Sequence, residues 1–183
     1  MVRFILFLPG LFFFHISGNL KAQSPLGVDS VASSITFQIR NAEIIANGKF
    51  ERIKSNIHFD FNNAAKIRFA STIYVNSIKT GIRLRDAHLK RPLYFDANQY
   101  PTIHLNLVSA RLISGGKYEG VFLVKMKNIE KRITLLFYMK EETKSLVFEA
   151  QFPINRRDFH VGGRSWTLAE IADVQVRFVL PKN

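Results

Sequence analysis

The sequence predicts an all-β domain of about eight antiparallel strands, a barrel or a sandwich, with one short helical insertion. Three observations predict it. Apolar and polar residues alternate with period two over most of the chain, the mark of half-buried strands. Turn-forming residues separate many of these runs, which suits short antiparallel connections. One segment, and only one of any length, breaks the alternation.

The strands are read in order. Ile35, Phe37 and Ile39 alternate with Thr36, Gln38 and Arg40; Ile57, Phe59 and Phe61 alternate with His58, Asp60 and Asn62. Ile67 and Phe69 follow, then Ile103, Leu105 and Leu107 around His104 and Asn106. Val121 and Leu123, the runs Ile133–Met139 and Leu146–Phe152, and finally Val174, Val176, Phe178 and Leu180 complete the set. Turns are expected at Asn47-Gly48, Asn62-Asn63, Gly115-Gly116 and Glu141-Glu142-Thr143. The exception runs from Ser77 to Ala97, where Leu84, Ala87, Leu89 and Leu93 fit a short irregular helix that Pro92 ends or kinks. A long non-strand excursion in a β domain is often a lid or binding element. A smaller one covers Arg156 to Ala172.

The first residues do not read as part of the fold. Arg3, the apolar run Phe4 to Phe14 and the small and polar residues after it describe a secretory signal peptide over 1–22, cut after Ala22 or, alternatively, near Ser17-Gly18. The run is too short to span a bilayer, which needs about 20 residues; an uncleaved anchor is the other reading. Residues 23–183 then form one domain. The formal net charge of +12 for the whole chain favours anionic partners such as head groups or a membrane surface. Nucleic acid is not expected in an exported protein, and basic residues at alternate strand positions describe a solvated face. The chain has no cysteine, which excludes a disulfide scaffold, a thiolate metal site and a thiol nucleophile. Twelve of its seventeen phenylalanines lie beyond the leader, enough to hold the domain by burial.

Apolar side chains facing inward from eight strands either fill the barrel or leave a dry cavity for one ligand. Such a cavity suits hydrocarbon, since burial gains about 0.8 kcal/mol per CH₂. The inverse arrangement, an outer-membrane barrel, fits poorly with the excursion, with the two-faced apolar run Ile133–Met139 and with the terminal Leu180-Pro181-Lys182-Asn183.

Little points to catalysis. Arg83, Arg85, Asp86, His88, Lys90 and Arg91 form the densest polar cluster, yet Asp86 and His88 do not share a helix face and no third metal ligand lies nearby. Arg85 and Asp86 are expected to tie the excursion to the barrel by charge-assisted hydrogen bonds, or the cations to meet an anionic lipid head. His58 with Asp60 reads as surface polarity, and Asp158 with His160 beside Arg156 and Arg157 forms a second polar cluster. Neither a nucleophile elbow nor a phosphate loop is present. Trp166, the single tryptophan, is expected to close one barrel end or to line the cavity.

Several motifs resemble the YceI-like family of bacterial lipid-binding proteins, from about Ser34 to Leu180. The strongest are Ser77-Ile78-Lys79-Thr80-Gly81, Arg85-Asp86-Ala87-His88-Leu89, Tyr94-Phe95-Asp96 and Tyr100-Pro101-Thr102-Ile103. Ser34-Ile35-Thr36-Phe37, Gly48-Lys49-Phe50, Asn155-Arg156-Arg157-Asp158-Phe159 with Gly162, and Ala172-Asp173-Val174-Gln175-Val176 are similar to flanking family patterns. Two positions depart: Asn128 stands where the family has glycine, and so does His160. The resemblance implies a lipocalin-like barrel, exported to the periplasm or secreted, that binds a polyisoprenoid such as a prenyl phosphate or quinone. It brings no catalytic activity, cofactor or metal. Phe37, Phe50, Ile78, Leu84, Arg85, Leu89, Phe95, Leu105, Phe159, Trp166 and Val176 are the expected cavity lining or mouth. Asp86, His88, Tyr100, Pro101, Arg156 and Asp158 are the expected structural motif. A filled-core structural or stress-protective domain and, behind it, an envelope hydrolase are the alternatives; a homodimer is compatible with the sequence.

Overall fold

A computed structural model describes residues 26–27 and 33–181. The expected signal peptide over 1–22 lies outside the described residues. One antiparallel sheet contains every strand: β1 (Leu26–Gly27), β2 (Ser34–Asn41), β3 (Ile44–Phe50), β4 (Ile53–His58), β5 (Arg68–Tyr74), β6 (Ile78–Lys79), β7 (Thr102–Ser114), β8 (Lys117–Met126), β9 (Ile129–Glu141), β10 (Ser145–Asn155) and β11 (Leu168–Pro181). The single α-helix among the described residues, α1, covers Arg83–Leu89.

Ten of the eleven segments make an eight-stranded barrel, and β1 adds a short pairing to β4. β3 and β4 are one bent strand interrupted at Glu51-Arg52, and β5 and β6 are another, interrupted by a 3-10 turn at Val75–Ser77. These two bent strands pair along their whole length: β4 with β5, β3 with β6, and across the bend through Glu51 N–H to Ser77 O and Tyr74 N–H to Arg52 O. From β5 the ladder continues through β7, β8, β9, β10 and β11. β11 then pairs with β2, and β2 with β3, so the ring of hydrogen bonds closes. Closure removes the sheet edges that an exposed β domain must otherwise protect.

The alternation is realised strand by strand. In β9, Leu135, Phe137 and Met139 are buried while Thr134, Leu136 and Tyr138 face out. Leu136 and Tyr138 account for the two-faced apolar character of that run. The turns at 62–63 and 115–116 and the connection after Glu141 form as expected. Asn47-Gly48 does not turn; it sits inside β3. The hairpin instead turns at Ala42-Glu43, with Ala42 left-handed at φ 52°. Gly48 has a packing role: it lies opposite Phe37, and a Cβ there would fall 2.2 Å from the Phe37 Cζ. In the β8–β9 turn Lys127, and not the Asn128 that replaces the family's glycine, takes the left-handed conformation, at φ 56°. His160 is left-handed as well, at φ 53°, in a conformation that glycine adopts without strain.

Candidate functional site

The barrel interior divides into two halves. In one, aromatic rings pack against each other without a gap. The Phe69 centroid lies 5.4 Å from Phe122, 4.9 Å from Phe148 and 5.7 Å from Phe178. Phe137 stacks on Tyr118 at 5.3 Å and on Phe148 at 5.1 Å. Phe59, edge-on to Tyr118, and Ile67 in the loop after β4 cover that end. Pairs of this geometry add about 0.5–1.5 kcal/mol each beyond area burial. Burial also pushes the Tyr118 hydroxyl above its ordinary pKa, with a smaller contribution from Asp60.

The other half is hollow. A cavity of about 160 Å³ is bounded by the inward residues of β2, β3, β5, β7, β8, β10 and β11 and roofed by Leu89, Tyr94 and Phe95 from the excursion and Phe159 and Val161 from the turn after β10. None of the stacked rings of the first half reaches its wall. Its inward-facing Phe37, Ile154 and Val174 are only half-buried, whereas Phe122 and Phe178 at the other end are fully buried. The wall is apolar throughout. Arg156 belongs to it only through its stem, because the guanidinium donates to Ala169 O, Val161 O, Gly163 O and Leu168 O at 2.8–3.2 Å. Those four bonds knit the 156–169 segment together. Burial and then the neighbouring Arg157 lower the Arg156 pKa, yet an arginine keeps its charge at any physiological pH.

The excursion is anchored through Thr80. Asp86 Oδ1 accepts from the Thr80 amide at 2.8 Å and from its hydroxyl at 2.6 Å. Arg85 donates to the Thr80 hydroxyl at 2.8 Å and to its carbonyl at 2.6 Å. Hydrogen bonding by the Thr80 hydroxyl holds the Asp86 carboxyl below its ordinary pKa against the opposing effect of burial, helped by the Thr80 amide and by Lys79 and Lys90. Arg85 and Asp86 thus each bond to Thr80 and not to the other, and these bonds brace α1 against the residue that follows β6. Thr80 stands in the Ser77–Gly81 motif, yet the residues alone give it no role; its value lies in the place the chain reversal at Gly81 puts it.

Of the residues expected at the cavity, Phe37, Phe50, Leu89, Phe95, Leu105, Phe159 and Val176 are in its wall. Four are not. Ile78 is fully buried in the core beside Phe50, its partner across β3–β6. Arg85 is occupied at Thr80, Leu84 is 78% exposed on the outer side of α1, and Trp166 is fully exposed on the loop before β11. A helix of two turns has room to bury only one side, and here the buried Asp86 and the half-buried Leu89 take it. The wall also holds Ile39, Ile73, Tyr94, Val124, Met126 and Ile154, of which only Ile39 stands in an alternating run named above; on β8 the inward phase is Phe122 and Val124, not Val121 and Leu123.

The polar motif residues scatter. His88 meets the Tyr94 ring edge-on at 4.8 Å. Tyr100 donates its amide to Asp96 O, and Pro101 O accepts from Val75 N–H, which pins the excursion's end to the 3-10 turn. Asp158 pairs with Lys131 at 3.0 Å on the surface. Among the described residues no group of three or more His, Asp or Glu is placed to hold a metal ion.

The fold has solved counterparts. Burkholderia cenocepacia BcnA superposes with a TM-score of 0.78 at 23% identity, over 85% of this chain and 99% of that one. A polyisoprenoid binding domain from Saccharophagus degradans gives 0.71 at 13% identity, over 87% and 99%. The Campylobacter jejuni YceI protein gives 0.68 at 21%, over 74% and 84%. At these identities the likeness shows a common fold. A search of curated proteins returns no match. The family model for the YceI-like domain matches residues 27–180, nearly the whole described chain, and the chain belongs to that family.

Proposed function

We propose that this protein is an exported carrier or store for a long-chain isoprenoid lipid, a prenyl phosphate or an isoprenoid quinone, and that it has no catalytic role. The observation that carries the proposal is the hollow half of the barrel, a wall of aliphatic and aromatic side chains with no polar atom offered to a ligand. Such a wall suits a hydrocarbon chain and leaves any polar head group at or beyond the mouth. The family, and the polyisoprenoid binding domain that shares this fold, support the choice of an isoprenoid. A signal peptide over 1–22 would place the protein in the periplasm or outside the cell.

The size of the cavity adds a requirement. Its 160 Å³ is close to the roughly 150 Å³ that holds a benzene-sized molecule and below the ~300 Å³ at which ordinary ligand sites begin. A long isoprenoid therefore enters only if the roof gives way. The roof is the excursion and the turn after β10, held by Thr80 and Arg156 and not by strand pairing.

Protein purified from cells and extracted with organic solvent should yield a long-chain isoprenoid by mass spectrometry. Repeated recovery of empty protein that also takes up neither added polyprenol nor quinone would sink the proposal and favour a structural domain. Binding that weakens as salt is raised identifies a prenyl phosphate, because salt screens the head group; a quinone shows little such dependence.

A further inference from the structure

We infer that the rim of the hollow end is a docking surface for an anionic phospholipid bilayer, with Trp166 and the Ile44-Ile45 hairpin tip as the inserting residues. Large apolar side chains are normally scattered on a protein surface. Several are scattered here too, such as Leu112, Ile113 and Tyr138 near the β7–β8 turn, but four of the exposed ones stand on the segments that border the hollow end. Trp166 has a relative exposure of 106% and Ile44 of 69%, and Ile45 and Leu93 are also exposed.

The register places them together. Ile44 lies opposite Asn41 and Ile45 opposite Arg40, immediately beyond Ile39 in the cavity wall. Trp166 stands two residues before Leu168, another wall residue that pairs with Asn41. Ala42 N–H donates to Thr167 O at 2.8 Å and so ties the hairpin tip to the tryptophan loop. Gly162 N–H donates to Leu93 O at 2.8 Å, which joins the excursion to the same loop. Each of these exposed residues is thus a short step along a strand or loop from the cavity wall.

The charge favours a bilayer over a second copy. Exposed Arg40, Arg91 and Arg164 flank the apolar tips, against Glu43 and Glu170. The whole chain carries 26 basic and 14 acidic residues. Two such surfaces repel each other, whereas a negatively charged lipid surface attracts both. Tryptophan is also the side chain best suited to the boundary between head groups and acyl chains, where its apolar ring and its N–H are both satisfied. Docking in this orientation would turn the cavity mouth toward the membrane. The surface argument stands whichever lipid the cavity holds.

Trp166 is the only tryptophan, so its fluorescence reports on this surface alone. The full-length chain is mixed with vesicles of equal parts phosphatidylglycerol and phosphatidylethanolamine, some with brominated acyl chains. Trp166 emission should shift to the blue and be quenched by the brominated lipid. Both effects should fall several-fold on pure phosphatidylcholine or at high salt. The double substitution Ile44→Ser, Ile45→Ser, at exposed positions, should weaken partitioning about tenfold or more. Unchanged Trp166 emission on the anionic vesicles overturns the inference, even if the protein sediments with them, since the apolar run at 4–14 would then be the anchor. A blue shift without vesicles that grows with protein concentration also overturns it and assigns the surface to self-association.

Discussion

The two halves of the barrel interior are built from the same strands and the same alternation, yet one is solid and the other hollow. Phe148 and Phe152 stand four residues apart on β10, facing the same way. Phe148 is surrounded by Phe69, Phe137 and Phe178, whereas Phe152 borders open space. The difference lies in what each layer's neighbours contribute. Around Phe148 the facing residues are aromatic rings in mutual contact; Phe152 pairs with Val174 and shares with aliphatic and aromatic residues a space that a strand-free roof covers. Stability is thus concentrated at one end of the molecule, and room for a ligand at the other. This separation lets a roof move without loosening the core that keeps the ring of strands closed.

The comparison breaks most directly with a pair of truncations. Phe148→Ala should cost about 3–5 kcal/mol in urea unfolding, the usual loss for a buried ring, with no change in the lipid recovered from the folded fraction. Phe37→Ala should cost less, about 1–2 kcal/mol, because its ring already borders a void, and should raise isoprenoid uptake. Equal losses from the two would mean that the hollow half is packed as tightly as the solid one.

A subtler probe fills the cavity from behind. The Cβ of Gly48→Ala would collide with the Phe37 ring and drive it toward the cavity. We expect a loss of about 2 kcal/mol, typical of overpacking, together with reduced uptake of added polyprenol. Uptake at the wild-type level would show that Phe37 does not bound the ligand space.

The smallest effect concerns pH. The Asp86 carboxyl titrates below its ordinary value in the folded protein, so its contribution is present above the unfolded pKa of about 3.9 and is lost as pH falls through the lower folded value. Acid should therefore loosen the roof before the barrel. Hydrogen exchange across 83–96 should rise near the bottom of the carboxylate range while β8 to β10 stay protected. Asp86→Asn should cost about 1 kcal/mol at neutral pH and flatten that acid response. A response identical to the wild type would assign it to another carboxylate.

Period-two patterning by itself determined that the chain is a strand meander with an apolar interior, and it located the excursion, because a half-buried strand can be built in only one way. It also marked part of the cavity wall, Phe37, Leu105 and Val176 among it. Tertiary structure alone decided the rest. Nothing local distinguishes Phe148 from Phe152; only the strands brought alongside make one a core residue and the other a wall. Asn47-Gly48 reads as a turn until Phe37, ten residues earlier, is seen to need the space above Gly48. Arg156 reads as one member of a polar cluster, and its structural role becomes visible only where four backbone carbonyls, all from later in the chain, converge on it. Trp166 reads as interior because tryptophan is apolar, yet the loop that carries it is fastened outward to the β2–β3 tip. In each case the deciding partner is fixed by the register of the closed ring, and register is a property of the whole sheet.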